Sequence, residues 1–203
     1  MDHYTRALRN TFVSNEIDRL HEFRRNPIWI ENALYQPETR FYILVNEDIL
    51  ISKQPPYPLA LLPRQATQFI KNASAIILLG KAHNFLYFAL LFDTAPDFGR
   101  IHGKLSDLRE LSPGLTAVES ALLAQSTGMA AWHRHNQFCS VCGSQTTNAE
   151  AGYTRKCTNP ACGRLHFPRT DPAIIVRTTY QNSCLLGRQA QWPQGRYSNI
   201  AGF

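Results

Sequence analysis

A chain of 203 residues with 44% hydrophobic side chains can bury a core and exceeds one average domain, which excludes a disordered polymer. The amino end, MDHYTRALRN, scatters charge with no apolar stretch, and the longest apolar run, Phe85 to Phe92, is far too short to cross a bilayer, so neither secretion nor membrane spanning is expected. The formal charge of +6, from 21 Lys and Arg against 15 Asp and Glu, suits an anionic partner such as a nucleotide or nucleic acid and equally describes an ordinary basic surface.

In chain order, Phe41 to Val45 and Ile49 to Ile51 are β-branched and aromatic runs around Asn46, Glu47 and Asp48, which predicts a hairpin. Lys53 to Pro63 carries Pro55, Pro56, Pro58 and Pro63 and reads as a loop, because each proline lacks a donor and fixes its own φ. Ala75 to Leu79 and Phe85 to Phe92 flank a turn expected at Gly80 to Asn84, a second hairpin of a β-rich amino-terminal domain. Leu115, Val118, Leu122, Met129 and Trp132 then form one helical stripe, opened by the capping-box pair Thr116 and Glu119 and containing Gly128. Beyond the cysteines, Ala173 to Tyr180 and Cys184 to Gln189 look strand-like around a turn at Gln181, Asn182 and Ser183.

Five cysteines, an odd count, argue for metal rather than disulfides, and so for a reducing compartment: the cytoplasm, or a peroxisome or mitochondrion in a eukaryote. Cys184 stands alone. Cys139 and Cys142 are separated by two residues, Cys157 and Cys162 by four, and fourteen lie between the pairs. Each short pair can aim two thiolates at one ion, so the expectation is one structural Zn2+ in a tetrahedral ribbon of four cysteines. Gly143 and Gly163 follow the second cysteine of each pair, where a residue free to take φ > 0 lets backbone N–H groups point at the sulfurs. A shell of four thiolates leaves no open position for a reacting water, so this zinc folds the protein and does no chemistry. His166 is the alternative fourth ligand.

Between Trp132 and Arg169, the cations Arg134, Arg155, Lys156, Arg164 and Arg169 face one acid, Glu150. A positive ribbon of this kind allows a second reading, a zinc-ribbon module that binds nucleic acid.

FCSVCG, GYTRKC, CTNPAC, HFPRTDPAIIV, CLLGRQ and IAGF occur together and in order, and from about Trp132 onward the chain resembles the NAD(H) diphosphatases of the Nudix hydrolase superfamily. The resemblance implies an α+β protein: a β-rich, Nudix-like domain over 1–112, a linking helix over 113–136, a zinc ribbon over 137–169 and the first strands of a Nudix α/β/α fold over 170–203. It implies hydrolysis of NADH or NAD to NMNH or NMN plus AMP with Mg2+ or Mn2+, removal of NAD caps from RNA, and a homodimer. By motif, Phe203 matches the aromatic that stacks on nicotinamide, Ala201 a residue whose carbonyl holds catalytic metal, and Gly202 the first glycine of the Nudix box. Phe167 stands where many relatives carry the tyrosine of a YPR motif, which keeps the ring and loses the phenolic hydroxyl. Arg109, in DLREL, matches an arginine that contacts substrate. The glutamates of the Nudix helix that bind the divalent ions lie outside these residues, so the expectation is that the 203-residue chain is inactive alone.

Overall fold

The computed structural model describes the whole chain except Met1, His3, Tyr4, Ala7, Leu8, residues 54–57 and Phe203. Two compact units divide it, Met1–Pro168 and Arg169–Phe203. The first is built on a six-stranded sheet of β1 (Ile17–Asp18), β2 (Thr39–Val45), β3 (Asp48–Ser52), β4 (Ala75–Ala82), β5 (Phe85–Phe92) and β6 (Gly103–Ser106). Their order is β1-β4-β5-β2-β3-β6. Both expected hairpins, β2–β3 and β4–β5, are antiparallel, and β2 joins them by running parallel to β5 from Thr39 opposite Leu86 to Val45 opposite Phe92.

These strands are nearly continuous in apolar residues because both faces of the sheet are covered. Phe41, Ile43, Phe88 and Leu90 pack on one side with residues of α1 (Pro27–Ala33) and α2 (Pro63–Ile70). Tyr42, Leu44, Ile77 and Leu91 pack on the other against α4 (Ala117–His135), which follows the short α3 (Leu108–Leu111). α4 buries Val118, Leu122 and Met129 of the expected stripe, each such side chain contributing about 2 kcal/mol. Its capping box is made, with Thr116 N–H donating to Glu119 Oε2 at 2.9 Å and Glu119 N–H to Thr116 Oγ1 at 3.2 Å.

Two expectations need correction here. The proline stretch is not loop to its end, since Leu61 exchanges backbone bonds with Phe41 and Pro63 opens α2, at the first helical position where a missing N–H costs nothing. Gly80 does not turn the second hairpin. It stays in β4 at φ +134, at a bulge where a Cβ would collide with the Asp18 carbonyl of the neighbouring β1, and the turn itself is His83 and Asn84.

In the second unit, β10 (Ile174–Val176) pairs with β13 (Ile200–Gly202), placing Ala201 opposite Ile175, and β11 (Thr179–Tyr180) pairs with β12 (Ser183–Cys184). The run from Ala173 is thus broken after Val176, and Ser183 lies in a strand instead of the turn, because Gln181 at φ +50 reverses the chain before it.

Two glycines give opposite forecasts. Gly152 sits at φ +90 where a Cβ would meet Ile77 Cδ1 and lie 2.9 Å from the Ile76 carbonyl oxygen, so Gly152→Ala should lower the unfolding free energy by about 2–4 kcal/mol. Gly128, in the middle of α4 with nothing within 4 Å of the place an added methyl would take, should gain about 1 kcal/mol on conversion to alanine. Urea titration of the two variants reads both, and the account requires midpoints that move in opposite directions.

Candidate metal centre

Immediately after α4, the chain forms a three-stranded antiparallel sheet, β7 (Thr146–Ala149), β8 (Thr154–Cys157) and β9 (Leu165–His166), in the order β7-β8-β9. Two tight turns hang the cysteines from it. In the first, Cys139 N–H donates to the Ser144 carbonyl at 2.8 Å and Gly143 N–H to the Cys139 carbonyl at 2.9 Å. In the second, Cys157 N–H donates to the Arg164 carbonyl at 2.8 Å, and Cys162 and Gly163 N–H donate to the Asn159 carbonyl at 3.0 and 2.9 Å. Asn159 thus stands to Cys162 and Gly163 as Cys139 stands to Cys142 and Gly143, which explains why the second pair is spaced two residues wider. Both glycines have positive φ, +73 and +55, as expected. Their N–H groups, however, close the turns onto carbonyl oxygens, because a four-residue reversal brings residue i+4 back onto residue i.

The four sulfurs lie within 4.8 Å of one another, with Cys142 to Cys157 at 3.4 Å and Cys139 to Cys162 at 3.8 Å. A tetrahedral ion with Zn–S bonds near 2.3 Å sets its sulfurs about 3.8 Å apart, so the arrangement fits zinc. It is far too wide for disulfides, which need about 2.05 Å. Among the described residues this is the one group of three or more His, Cys, Asp or Glu side chains that could hold a metal. His166 stands outside it, its Nε2 3.3 Å from Cys139 Sγ, in position to donate to a thiolate. Hydrogen bonds from Ser144 hold the Cys142 thiol down to about 6, while burial pushes Cys157 up to about 12. Metal binding must therefore expel protons, that of Cys157 among them.

Behind the sulfurs, a second polar cluster fastens the ribbon to the helix and the large sheet. His133, in the last turn of α4, lies 2.7 Å by Nε2 from the Gly152 carbonyl and 2.9 Å by Nδ1 from Arg155 Nη1. A carbonyl only accepts and a guanidinium only donates, so His133 is the neutral tautomer with its proton on Nε2. Arg155 also donates to Thr146 Oγ1 at 2.7 Å, the Thr146 carbonyl at 2.9 Å and Asn148 Oδ1 at 3.0 Å. The Tyr153 hydroxyl donates to the Leu78 carbonyl of β4 at 2.9 Å, and the Arg24 guanidinium lies 3.4 Å above its ring.

This cluster revises the expected basic face. Arg155 is a buried structural cation, Arg134 pairs with Glu47 at 2.7 Å, and Arg169 pairs with Asp171 at 3.0 Å in the second unit. Of the five cations, that leaves Lys156 and Arg164 as the exposed ones without an ion pair among the described residues, too few for a phosphate-binding stripe. Spacing gave no warning of Arg155, although His133 falls four residues after Met129 on the buried stripe and was visible there. The other site residues lie on separate elements. Phe167 is 57% exposed next to His166, Arg109 lies on α3, and Ala201 is exposed in the second unit. Phe203 lies outside the described residues.

Four thiolates on two reversed turns under a three-stranded sheet define a zinc ribbon of the closed, structural kind. Residues 134–167 match the family model of the NADH pyrophosphatase zinc ribbon domain. The chain is 34% identical over 130 residues to the human NAD-capped RNA hydrolase NUDT12, covering 58% of this chain and 28% of that protein. It is 36% identical over 101 residues to the mitochondrial NAD(P)H pyrophosphatase NUDT13 of Mus musculus, covering 50% and 28%. It is 36% identical over 98 residues to the NAD-capped RNA hydrolase NudC of Mycobacterium bovis, covering 48% and 31%. The chain is thus similar to the NADH pyrophosphatases in its ribbon, and to these relatives over about half of its length. The match spans less than a third of each of these relatives.

Cys157→Ser should release zinc and unfold the ribbon, since a direct ligand is lost, whereas His166→Ala should keep one zinc per chain and weaken it only about 10- to 100-fold. Competition with a chromophoric chelator checks both, and equal losses would contradict the assignment of four sulfurs.

His133 supplies a pH forecast. Burial lowers its pKa to about 4, against the opposing Gly152 carbonyl and with help from Arg155. Between about 6.5 and 4 the unfolded chain therefore binds a proton that the fold refuses, and stability falls as pH drops through that window. A carboxamide can donate to Gly152 and accept from Arg155, so His133→Gln should fold and lose up to about 1.4 kcal/mol per pH unit of that slope. Urea midpoints from pH 7 to about 4.5 compare the two proteins, and identical slopes would exclude His133 as the source.

Proposed function

We propose that these residues are the amino-terminal and ribbon part of a Nudix-type NAD(H) diphosphatase. The reaction is hydrolysis of the NADH or NAD pyrophosphate to NMNH or NMN plus AMP, extended to the NAD cap of RNA. The observation that carries this reading is the converged four-cysteine site inside a ribbon of the NADH pyrophosphatase type. Relatives named for the dinucleotide reaction and for the RNA cap reaction each match about half of the chain.

Pyrophosphate cleavage needs hard divalent ions, Mg2+ or Mn2+, held by several oxygen ligands to polarise phosphoryl oxygens and supply an activated water. The thiolate shell cannot serve, being soft and closed, so the ribbon's part is to fix the geometry around the reaction. In this reading Phe167 offers its exposed ring as a stacking surface for the dinucleotide, Phe203 stacks on the nicotinamide, Arg109 meets a phosphate, and the Ala201 carbonyl is one oxygen ligand of the divalent metal. Exposed Val141, Leu165 and Phe167 give the ribbon an apolar surface that supports a homodimer. The domain limits we adopt are 1–112, 113–136, 137–169 and 170–203. The free cysteines favour a reducing compartment, with the cytoplasm as the simplest assignment. Among the described residues no helix is long and apolar enough to cross a membrane.

With NADH and Mg2+ or Mn2+, the 203-residue chain should release no NMNH, whereas the same chain extended through a glutamate-bearing Nudix helix should do so. In that active form Phe167→Ala should raise KM about tenfold at unchanged zinc content, the worth of one lost stack. Turnover by the 203 residues alone, or an extended form inert toward NADH, would refute the proposal.

A further inference from the structure

Where the large sheet, α4 and the ribbon meet there is a cleft of about 240 Å3, to which neither the zinc nor the proposed diphosphatase chemistry gives a task. Pockets that enclose drug-sized ligands run from about 300 to 1,000 Å3, so this one fits a single ring system and not a dinucleotide.

Arg155, 8% exposed, lines the cleft, and no carboxylate among the described residues lies within ion-pair distance of it. Four of its five N–H groups are used, by Thr146 Oγ1, the Thr146 carbonyl, His133 Nδ1 and Asn148 Oδ1, which leaves one on Nη2. His133 is fully engaged and neutral. Asp93, just beyond β5, is the one acid on the wall, and its carboxylate has no ion-pair partner among the described residues. Gln137 and Gln145 bring carboxamides to the rim, and the Phe138 ring is 61% exposed.

This lining selects by charge. An anion gains from Arg155 but meets Asp93 and the negative, carboxyl end of α4, whereas a cation gains from Asp93 and meets a buried guanidinium. A neutral planar group that presents an acceptor to Arg155 and a donor to Asp93, with one face on Phe138, avoids both penalties. Adenine has that edge, an exocyclic amine beside a ring nitrogen acceptor. We infer that the cleft between Asp93, Arg155 and Phe138 is a nucleobase site for adenine, separate from the zinc. The inference goes beyond the diphosphatase reading and stands or falls without it.

The test is titration of the zinc-loaded 203-residue chain with adenosine, inosine and inorganic phosphate, followed by 15N amide shifts. Adenosine should bind with Kd of about 1 mM and move the amides of Gln137, Phe138 and Gln145. Inosine, which replaces the amine with a carbonyl, should bind about tenfold more weakly, and phosphate should neither bind there nor displace adenosine. Asp93→Asn and Phe138→Ala should each weaken adenosine about tenfold at unchanged melting temperature. Equal binding of inosine, displacement by phosphate, shifts elsewhere on the protein, or no adenosine binding at about ten times that Kd would each overturn the assignment.

Discussion

Everything carboxyl-terminal to α4 in the first unit depends on four sulfur atoms converging on one point. The ribbon has three strands of four, four and two residues, too little apolar surface to offset the entropy of ordering its own turns. A shared metal ion supplies that free energy, as it does in other small metal-bound folds. The two turns are the same device used twice, with Asn159 taking the backbone role in the second that Cys139 takes in the first.

The metal holds the ribbon together but does not by itself place it. Placement comes from Arg155 and His133, a cation and a neutral imidazole locked by partners that leave no choice of tautomer. Removing one member of such a network would leave a buried polar group unsatisfied, which costs more than the bond gains. Tyr153 and Gly152 extend the attachment onto β4, where only glycine fits against Ile76 and Ile77. The ribbon and the amino-terminal sheet therefore form one compact unit.

Sequence alone showed the parts whose physics is local. Cys139, Cys142, Cys157 and Cys162 announce their ion by spacing, the two hairpins by their apolar runs, and α4 by the exchange of bonds between Thr116 and Glu119. What escaped was decided by tertiary partners. Arg155 reads like Lys156 beside it until β7 and α4 enclose its guanidinium. Gly80 reads as a turn residue until β1 is laid against β4. Pro63, read as a breaker, begins a helix because position one needs no donor, and α1 hid in the same way behind Asn26 and Pro27.

The central claim is a closed four-sulfur shell that leaves zinc structural. Zinc-edge X-ray absorption on the purified, reduced protein tests it directly. The account predicts one shell of four sulfurs at about 2.3 Å and no nitrogen or oxygen scatterer. A fit that needs a nitrogen at about 2.0 Å would bring His166 into the coordination sphere, and an oxygen would give the ion an open position, and either result would contradict it.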